Sequence, residues 1–274
     1  MLNPPPVDLH LHVLPNVDDG PSRIDECEAM FGFFAQLGVR RVAATPHLRG
    51  KLDDRERELV ERGLEAIAPL SLQYGVSVTP AFEVLLTADV PQRLADGEPI
   101  GYAGTNAVLV ELPFEFWPEQ SAELLFEIQT VEFQPVLAHP ERYVMAQQEP
   151  KRVLELADRG VIMQVTYASL AGVNGRSARS LAEQIIRDCP KVILATDAHG
   201  NGTRLRAFEA GLAQATETVG TVKAAQLAAA NPASILANQP FPIQAPLERK
   251  QEQRSFFGRA KRSVTSWGDG TNDW

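Results

Sequence analysis

Cysteine is scarce in this chain, which has only Cys27 and Cys189 among its 274 residues. The two cysteines lie far apart and form no C-x-x-C pair. Such a pattern argues against a disulfide scaffold and against a zinc site built from thiolates. It is typical of a protein in a reducing compartment, and we expect a cytoplasmic protein.

Basic side chains are also in the minority, because 26 Lys and Arg residues face 35 Asp and Glu residues and leave a net charge of -9. Nucleic-acid binding depends mainly on basic side chains that neutralise phosphates, so no nucleic-acid partner is expected. Long apolar runs are missing as well, since no stretch approaches the roughly 18 apolar residues of a membrane-spanning helix. The first residues, Met1 to Pro6, lack the basic and apolar regions of an export signal.

The hydrophobic content of 44% is enough for one large core, and we predict a single domain over residues 1–245. The composition changes after this range, because six basic and only two acidic residues lie between Glu248 and Arg262. We therefore predict a basic, flexible tail over residues 246–274. Since Phe256 and Trp267 fall near one helical face, a peripheral contact of this tail with an anionic membrane or a kinase stays open beside simple disorder.

Short apolar runs of β-type composition alternate with longer helical patterns along the chain. Seven such runs are predicted as strands: 7–12, 39–44, 76–82, 107–110, 135–138, 161–166 and 192–196. Helices are predicted over 22–38, 53–68, 119–131, 177–187, 205–218 and 222–237. This alternation favours an α/β fold of parallel β/α units, in which a site forms where the carboxyl ends of the strands meet.

All five histidines of the chain lie in or at the ends of these runs, together with three carboxylates. The candidate ligands are His10, His12, His47, His139, His199, Glu83, Glu111 and Asp197. Taken singly, each could be an ordinary strand or loop residue. Together, imidazoles and carboxylates without a thiolate suit manganese, iron, zinc or cobalt, and their number predicts a cluster of two or three divalent ions.

Six segments, taken together, resemble motifs of the polymerase and histidinol phosphatase (PHP) superfamily. They are Asp8–His12, Val17–Gly20, Thr45–His47, Val110–Pro113, Ala138–Tyr143 and Thr196–His199. More specifically, the set resembles the bacterial tyrosine-protein phosphatases of capsule and exopolysaccharide gene clusters, over about residues 7–237. The resemblance implies a distorted (β/α)7 barrel that holds three divalent metals, usually manganese, and hydrolyses phosphotyrosine on a partner tyrosine autokinase.

The same resemblance implies a set of functional residues. The implied metal ligands are His10, His12, Asp19, His47, Glu83, Glu111, His139, Asp197 and His199. Arg142 and Arg204 are implied to hold the phosphate, because the fork of a guanidinium grips two phosphate oxygens at once. Two choices stay open at this point: Asp18 is a rival for Asp19, and Arg206 is a rival for Arg204.

The chemistry expected of such a site is attack of a metal-bridging hydroxide on the phosphate, without a covalent enzyme intermediate. The thiol route is disfavoured, because Phe33 and Ala195 stand six residues after the two cysteines, where that mechanism needs an arginine. A small-molecule phosphomonoesterase such as a histidinol phosphatase is the alternative on the same site. A barrel kept only as an interaction scaffold is a third hypothesis, and the oligomeric state is open.

Overall fold

The computed structural model describes residues 4–241, so the predicted tail over 246–274 lies outside the described residues. The domain boundary at residue 245 stays a prediction. Within the described range the strands are β1 (Val7–Leu11), β2 (Arg41–Ala44), β3 (His47–Leu48), β4 (Ser77–Pro80), β5 (Glu83–Leu85), β6 (Ala107–Glu111), β7 (Gln134–Ala138), β8 (Ile162–Thr166) and β9 (Val192–Ala195).

Helices separate most of these strands. They are α1 (Ile24–Leu37), α2 (Asp54–Tyr74), α3 (Val90–Ala95), α4 (Ser121–Thr130), α5 (Val144–Gln148), α6 (Lys151–Asp158), α7 (Tyr167–Leu170), α8 (Arg176–Asp188), α9 (Thr203–Arg206), α10 (Phe208–Ala225) and α11 (Asn231–Leu236). A 3-10 turn spans Pro140–Arg142, and a π-helical segment spans Gln226–Ala230. None of the helices in residues 4–241 is long and apolar enough to cross a membrane.

The short helices α3, α5, α6 and α7 were not predicted, and α9 and α10 divide the predicted helix 205–218. The ends of the longer helices follow from local chemistry. Helix α1 ends where Gly38 adopts a left-handed conformation with φ of 78°, which glycine reaches without strain. Helix α2 continues past the predicted end at residue 68, with Pro69 inside it. Burial of Leu70 against the core favours this last stretch of helix, which ends when Gly75 turns left-handed.

The strands are parallel and form two sheets, in the orders β1-β2-β4 and β3-β5-β6-β7-β8-β9. Two short strands that were not predicted, β3 and β5, follow the predicted runs 39–44 and 76–82 and belong to the other sheet. The chain crosses from β2 to β3 at Thr45 and Pro46, and from β4 to β5 at Ala81 and Phe82. Because Pro46 has no N–H to donate, the first ladder cannot continue through it.

Hydrogen bonds also link the first strand to the residues after the last one. The Asp197 N–H donates to the His10 carbonyl at 2.9 Å, and the His12 N–H donates to the Ala198 carbonyl at 2.8 Å. The predicted α/β fold with parallel strands is therefore confirmed, while full closure into a barrel stays a prediction. All strand carboxyl ends point to one edge, which is where the predicted site residues lie.

Alternate residues of the strands pack into two separate apolar clusters. On β6, Leu109 faces the cluster formed mainly by other strand residues, whereas Val108 and Val110 face the cluster that includes the helices. Strands buried on both faces are typical of parallel sheets covered by helices. On β8 the same alternation puts Gln164 on the face of Ile162, towards the strand interior and near the carboxyl edge.

Candidate metal centre

The structure brings all nine predicted ligands to the carboxyl edge of the strands. His10 lies on β1, His47 on β3, Glu83 on β5 and Glu111 at the end of β6, while His12, Asp19, His139, Asp197 and His199 lie in the loops that follow strands. Strands with a common direction deliver the residues at their carboxyl ends to one place. His47 and Glu83 begin β3 and β5 and reach the same place because they closely follow the carboxyl ends of β2 and β4.

The deepest group consists of His10, His12, Glu83 and Asp197, which are all buried. The His10 Nε2 lies 3.2 Å from Glu83 Oε2 and 3.3 Å from Asp197 Oδ1. The His12 Nε2 lies 3.3 Å from the same Glu83 oxygen and 3.3 Å from the His10 Nε2. Four potential ligand atoms therefore face one small volume.

Two further groups share members with the first. His12, Asp19, His47 and His199 form one group, in which Asp19 Oδ1 lies 3.2 Å from the His199 Nε2. His47, Glu83 and Glu111 form the other, with the His47 Nδ1 at 3.1 Å from Glu83 Oε2 and 3.2 Å from Glu111 Oε1. Because Glu83 belongs to two groups and His12 and His47 link all three, the ligands form one continuous cluster.

His139 joins this cluster through Glu83, since its Nε2 lies 2.8 Å from Glu83 Oε1. It is a member of none of the three groups. His139 and Asp197 both have left-handed backbones, with φ values of 34° and 50°. Non-glycine residues rarely adopt this conformation, and its presence at two strand ends is typical of functional sites that hold side chains in one direction.

The neighbours Asp18 and Asp19 have different contacts. Asp19 contributes an oxygen to the ligand cluster. Asp18 Oδ2 instead lies 2.5 Å from the His12 Nδ1 and accepts the His47 backbone N–H at 3.0 Å, and its Oδ1 accepts the Gly20 N–H at 3.0 Å. The geometry thus favours Asp19 as the ligand and gives Asp18 the task of orienting His12.

The electrostatics of the cluster favour positive charge at its centre. Burial alone would lower the pKa of His12, but the hydrogen bonds and charges of Asp18 and Glu83 outweigh burial and raise that pKa to about 10. Burial likewise opposes ionisation of Asp18, yet the contact with His12 lowers the pKa of this carboxyl to about 2. His199 behaves differently, because burial and the charge of His12 lower its pKa to about 4 and keep its ring neutral near pH 7.

Several buried polar atoms of the cluster make no hydrogen bond of acceptable geometry among the described residues, even where another ligand atom is close. They are Glu83 Oε2, His47 Nδ1 and His139 Nδ1. Buried polar atoms without partners are costly, so such a concentration needs an explanation. Divalent cations would satisfy these atoms, and the nitrogen and oxygen donors without sulfur suit manganese, iron, zinc or cobalt.

The ligand cluster lies at the floor of a cleft of about 390 Å³, whose lining also includes Arg142 and Arg204. Both guanidinium groups contact Asp197 Oδ2, Arg204 at 3.2 Å. The Arg142 guanidinium also lies 4.9 Å from the centre of the Phe114 ring. Arg206 is exposed and does not line the cleft, so the geometry favours Arg204 over its rival.

Sequence reasoning missed other residues of the site. Gln164 lies on the strand predicted without a ligand, yet its Oε1 is 2.8 Å from the His10 Nδ1. Phe114 stacks on His139 with ring centres 5.3 Å apart, and Arg49 lines the cleft. The alternation of Ile162, Gln164 and Thr166 along a buried strand was a usable signal for Gln164, because a glutamine on an interior face needs polar partners.

Cys27 and Cys189 do not line the cleft and are buried elsewhere. Burial raises the pKa of Cys27 to about 11 and that of Cys189 to about 12. Both thiols are therefore protonated near neutral pH and are poor nucleophiles.

Several proteins named as tyrosine-protein phosphatases are similar in sequence to this chain. Tyrosine-protein phosphatase YwqE of Bacillus subtilis (strain 168) is 28% identical over 200 residues, which cover 72% of this chain and 79% of the relative. The putative tyrosine-protein phosphatase CapC of Staphylococcus aureus is 30% identical over 195 residues, 70% of this chain and 76% of the relative.

A solved structure from work on YwqE of Bacillus subtilis and CpsB of Streptococcus pneumoniae, described as metal-dependent tyrosine phosphatases, is also similar. It matches with a TM-score of 0.78 and 27% identity, covering 89% of this chain and 100% of that one. Residues 6–237 match the family model described as capsular polysaccharide synthesis, CpsB/CapC. Since this match spans most of the sequence, including every residue of the ligand cluster, the chain belongs to the CpsB/CapC family.

Proposed function

We propose that this protein is a metal-dependent tyrosine-protein phosphatase that hydrolyses phosphotyrosine on a bacterial tyrosine autokinase of polysaccharide synthesis. The observation that carries the proposal is one cleft that combines a cluster of nitrogen and oxygen ligands with two arginines at its wall. Relatives that cover most of the chain bear the name tyrosine-protein phosphatase. The phosphorylated kinase is the partner that this function implies.

In this proposal the nine clustered residues hold two or three divalent ions, with Mn²⁺ as the first candidate. The proposed ligands are His10, His12, Asp19, His47, Glu83, Glu111, His139, Asp197 and His199. When bound, the ions supply an activated water as the nucleophile and neutralise charge on the phosphoryl oxygens. The protein's own part is to hold the rings and carboxylates in place, as Asp18 does for His12.

Arg142 and Arg204 have the proposed task of binding the phosphoryl group. Both guanidinium groups line the cleft beside Asp197 and so lie next to the ligand cluster. A guanidinium offers two parallel N–H donors to two phosphate oxygens and stabilises the charge that builds up on them. Leu112 and Phe114 add an apolar wall to the same cleft, which suits the ring of an aryl phosphate.

A panel of three substrates tests the proposal directly. The full chain loaded with Mn²⁺ is assayed with a phosphotyrosine peptide, the matching phosphoserine peptide and histidinol phosphate. We expect the phosphotyrosine peptide to have the highest kcat/KM and the metal-stripped protein to be inactive. Faster turnover of histidinol phosphate, or full activity without detectable metal, would contradict the proposed function.

A conservative substitution tests the role of Arg142. Arg142→Lys keeps the positive charge but removes the fork, so kcat for phosphotyrosine should fall by about a hundredfold. The number of bound Mn²⁺ ions should not change. Arg206→Lys is the matched control, because Arg206 is exposed outside the cleft and its substitution should leave kcat unchanged. Equal activity of Arg142→Lys and wild type would assign phosphate binding to another residue.

A further inference from the structure

Gln164 is a fully buried amide on β8 with two hydrogen-bonding neighbours at the ligand cluster. In the parallel ladder it pairs with Ala138 on β7 and with Ile193 on β9. Its Oε1 lies 2.8 Å from the His10 Nδ1 and accepts the backbone N–H of His139 at 3.2 Å. One side-chain oxygen therefore contacts two of the proposed metal ligands.

The His139 contact determines which way the amide of Gln164 points. A backbone N–H can only donate, so the amide atom that faces it must be the oxygen and not the nitrogen. The opposite orientation would place two donors against each other in a buried site. The position of Oε1 thus follows from the backbone of His139.

The same oxygen determines the proton position on His10. Because an amide oxygen only accepts, the His10 Nδ1 at 2.8 Å must carry the hydrogen. The other ring nitrogen, Nε2, is then the atom left to face Glu83 and Asp197, at 3.2 Å and 3.3 Å. Gln164 thereby makes His10 a ligand through Nε2.

We infer that Gln164 is a positioning residue that fixes the tautomer and ring direction of His10 and anchors His139 beside it. The inference rests on the proposed metal centre. Asp18 offers a parallel in the same cluster, since one of its oxygens contacts the His12 Nδ1 and accepts the backbone N–H of His47. Each histidine of the His10–His12 pair thus has an acceptor at Nδ1 that also holds the backbone of a second ligand.

The amide nitrogen of Gln164 strengthens this inference. Gln164 Nε2 is buried and has no hydrogen-bond partner among residues 4–241. A buried donor without a partner is unfavourable, so the nitrogen gives no reason for a glutamine at this position. The oxygen does give a reason, because it accepts from the His10 ring and from the His139 backbone.

Two substitutions of Gln164 distinguish the effect of its acceptor oxygen from the effect of its side-chain volume. Gln164→Met keeps the length of the side chain and removes the acceptor, whereas Gln164→Glu keeps an acceptor oxygen. Binding of Mn²⁺ to the full chain is followed by electron paramagnetic resonance of the free ion. We expect affinity to fall by about 10- to 100-fold in Gln164→Met and to stay at least at the wild-type level in Gln164→Glu. Wild-type affinity in Gln164→Met would overturn the inference.

Asn231→Leu is the matched control for the loss of a buried amide. Asn231 is also buried, and its Nδ2 donates to the Val192 carbonyl at 2.9 Å, at the end of β9 away from the cluster. This variant should lower the melting temperature but leave Mn²⁺ affinity unchanged. Equal losses of affinity in Asn231→Leu and Gln164→Met would show a general effect of destabilisation and overturn the inference.

A second measurement needs no variant. In wild-type protein loaded with diamagnetic Zn²⁺, ¹⁵N–¹H spectra of the histidine rings show which nitrogen of His10 carries hydrogen and which binds metal. We expect a slowly exchanging Nδ1–H and metal at Nε2, and the opposite assignment would overturn the inference. Neither measurement uses a phosphorylated substrate. A failed substrate panel would therefore refute the proposed function while these results still decide the role of Gln164.

Discussion

Replacing Asp18 by asparagine tests whether the metal centre depends on a carboxylate that does not itself bind metal. Asp18 Oδ2 serves both the His12 Nδ1 at 2.5 Å and the His47 N–H at 3.0 Å, while Oδ1 accepts the Gly20 N–H. Asparagine has only one acceptor oxygen. In Asp18→Asn at least one of these donors must therefore face an amide N–H₂, and His12 loses its charged partner.

The size of the effect follows from the ionisation of Asp18. Its pKa falls from 3.8 to about 2 because the contact with His12 and two backbone N–H groups outweigh the effect of burial. A shift of this size corresponds to about 2 kcal/mol of interaction with the charged carboxylate. Loss of the hydrogen-bonded partner behind a metal-binding imidazole typically costs about 10- to 100-fold in metal affinity, so Mn²⁺ affinity should fall by that factor.

The assay is a titration of metal-free full chain with Mn²⁺, with the bound ions counted in the saturated protein. Asp18→Asn should weaken binding without reducing the number of ions at saturation, since Asp18 is outside the ligand groups. Asp89→Asn is the control for charge, because Asp89 is exposed and contacts Thr87 and Arg93 instead of the cluster. Unchanged affinity in Asp18→Asn would refute the orienting role, and loss of one ion would make Asp18 a ligand.

Three further outcomes are expected. His12 has a pKa of about 10, so a bound metal ion must displace its proton. The affinity for Mn²⁺ should therefore rise at least about tenfold for each pH unit between about pH 6 and about pH 8. An affinity that does not change with pH would contradict this prediction. The double variant Cys27→Ser and Cys189→Ser should keep the wild-type kcat, whereas inactivation of correctly folded double variant would implicate a thiol. Gly211→Ala should destabilise the fold by about 2 kcal/mol or more in urea unfolding, because the added Cβ would lie 2.3 Å from the carbonyl oxygen of the residue that begins α7; unchanged stability would mean that α10 can shift.

Much of the fold was predictable from local pattern alone. The β-type runs were recognisable because buried parallel strands are short and apolar, and the helices because their apolar residues recur at helical spacing. The chain leaves the first sheet after β2 and after β4 and continues as β3 and β5 in the second sheet, and this break between the sheets was not predicted. That break depends on which sheet a strand end joins, and this is decided by pairing between segments distant in sequence.

The convergence of the proposed ligands was predictable for a related reason. A residue at the end of a strand lies at the carboxyl edge wherever the strand is placed, so His10, Asp197 and Glu111 could be assigned to one site before the fold was known. Alternation along β1 indicated that His10 and His12 belong together. Their partners at Nδ1 could not be predicted, because they depend on how the loop after β1 folds back on His12 and on which strand brings an acceptor to His10.

Sequence by itself therefore indicated the alternation of strands and helices, the chemistry of the donors and the lack of an arginine six residues after either cysteine. Only the tertiary structure distinguishes the contacts of Asp18 from those of Asp19, which are adjacent in a loop without periodicity, and it favours Arg204 over Arg206. It also brought Gln164 to His10, which is 154 positions away in sequence. The physical reason is the same in each case: side-chain type is local, whereas distance and direction between side chains arise only when the strands pair.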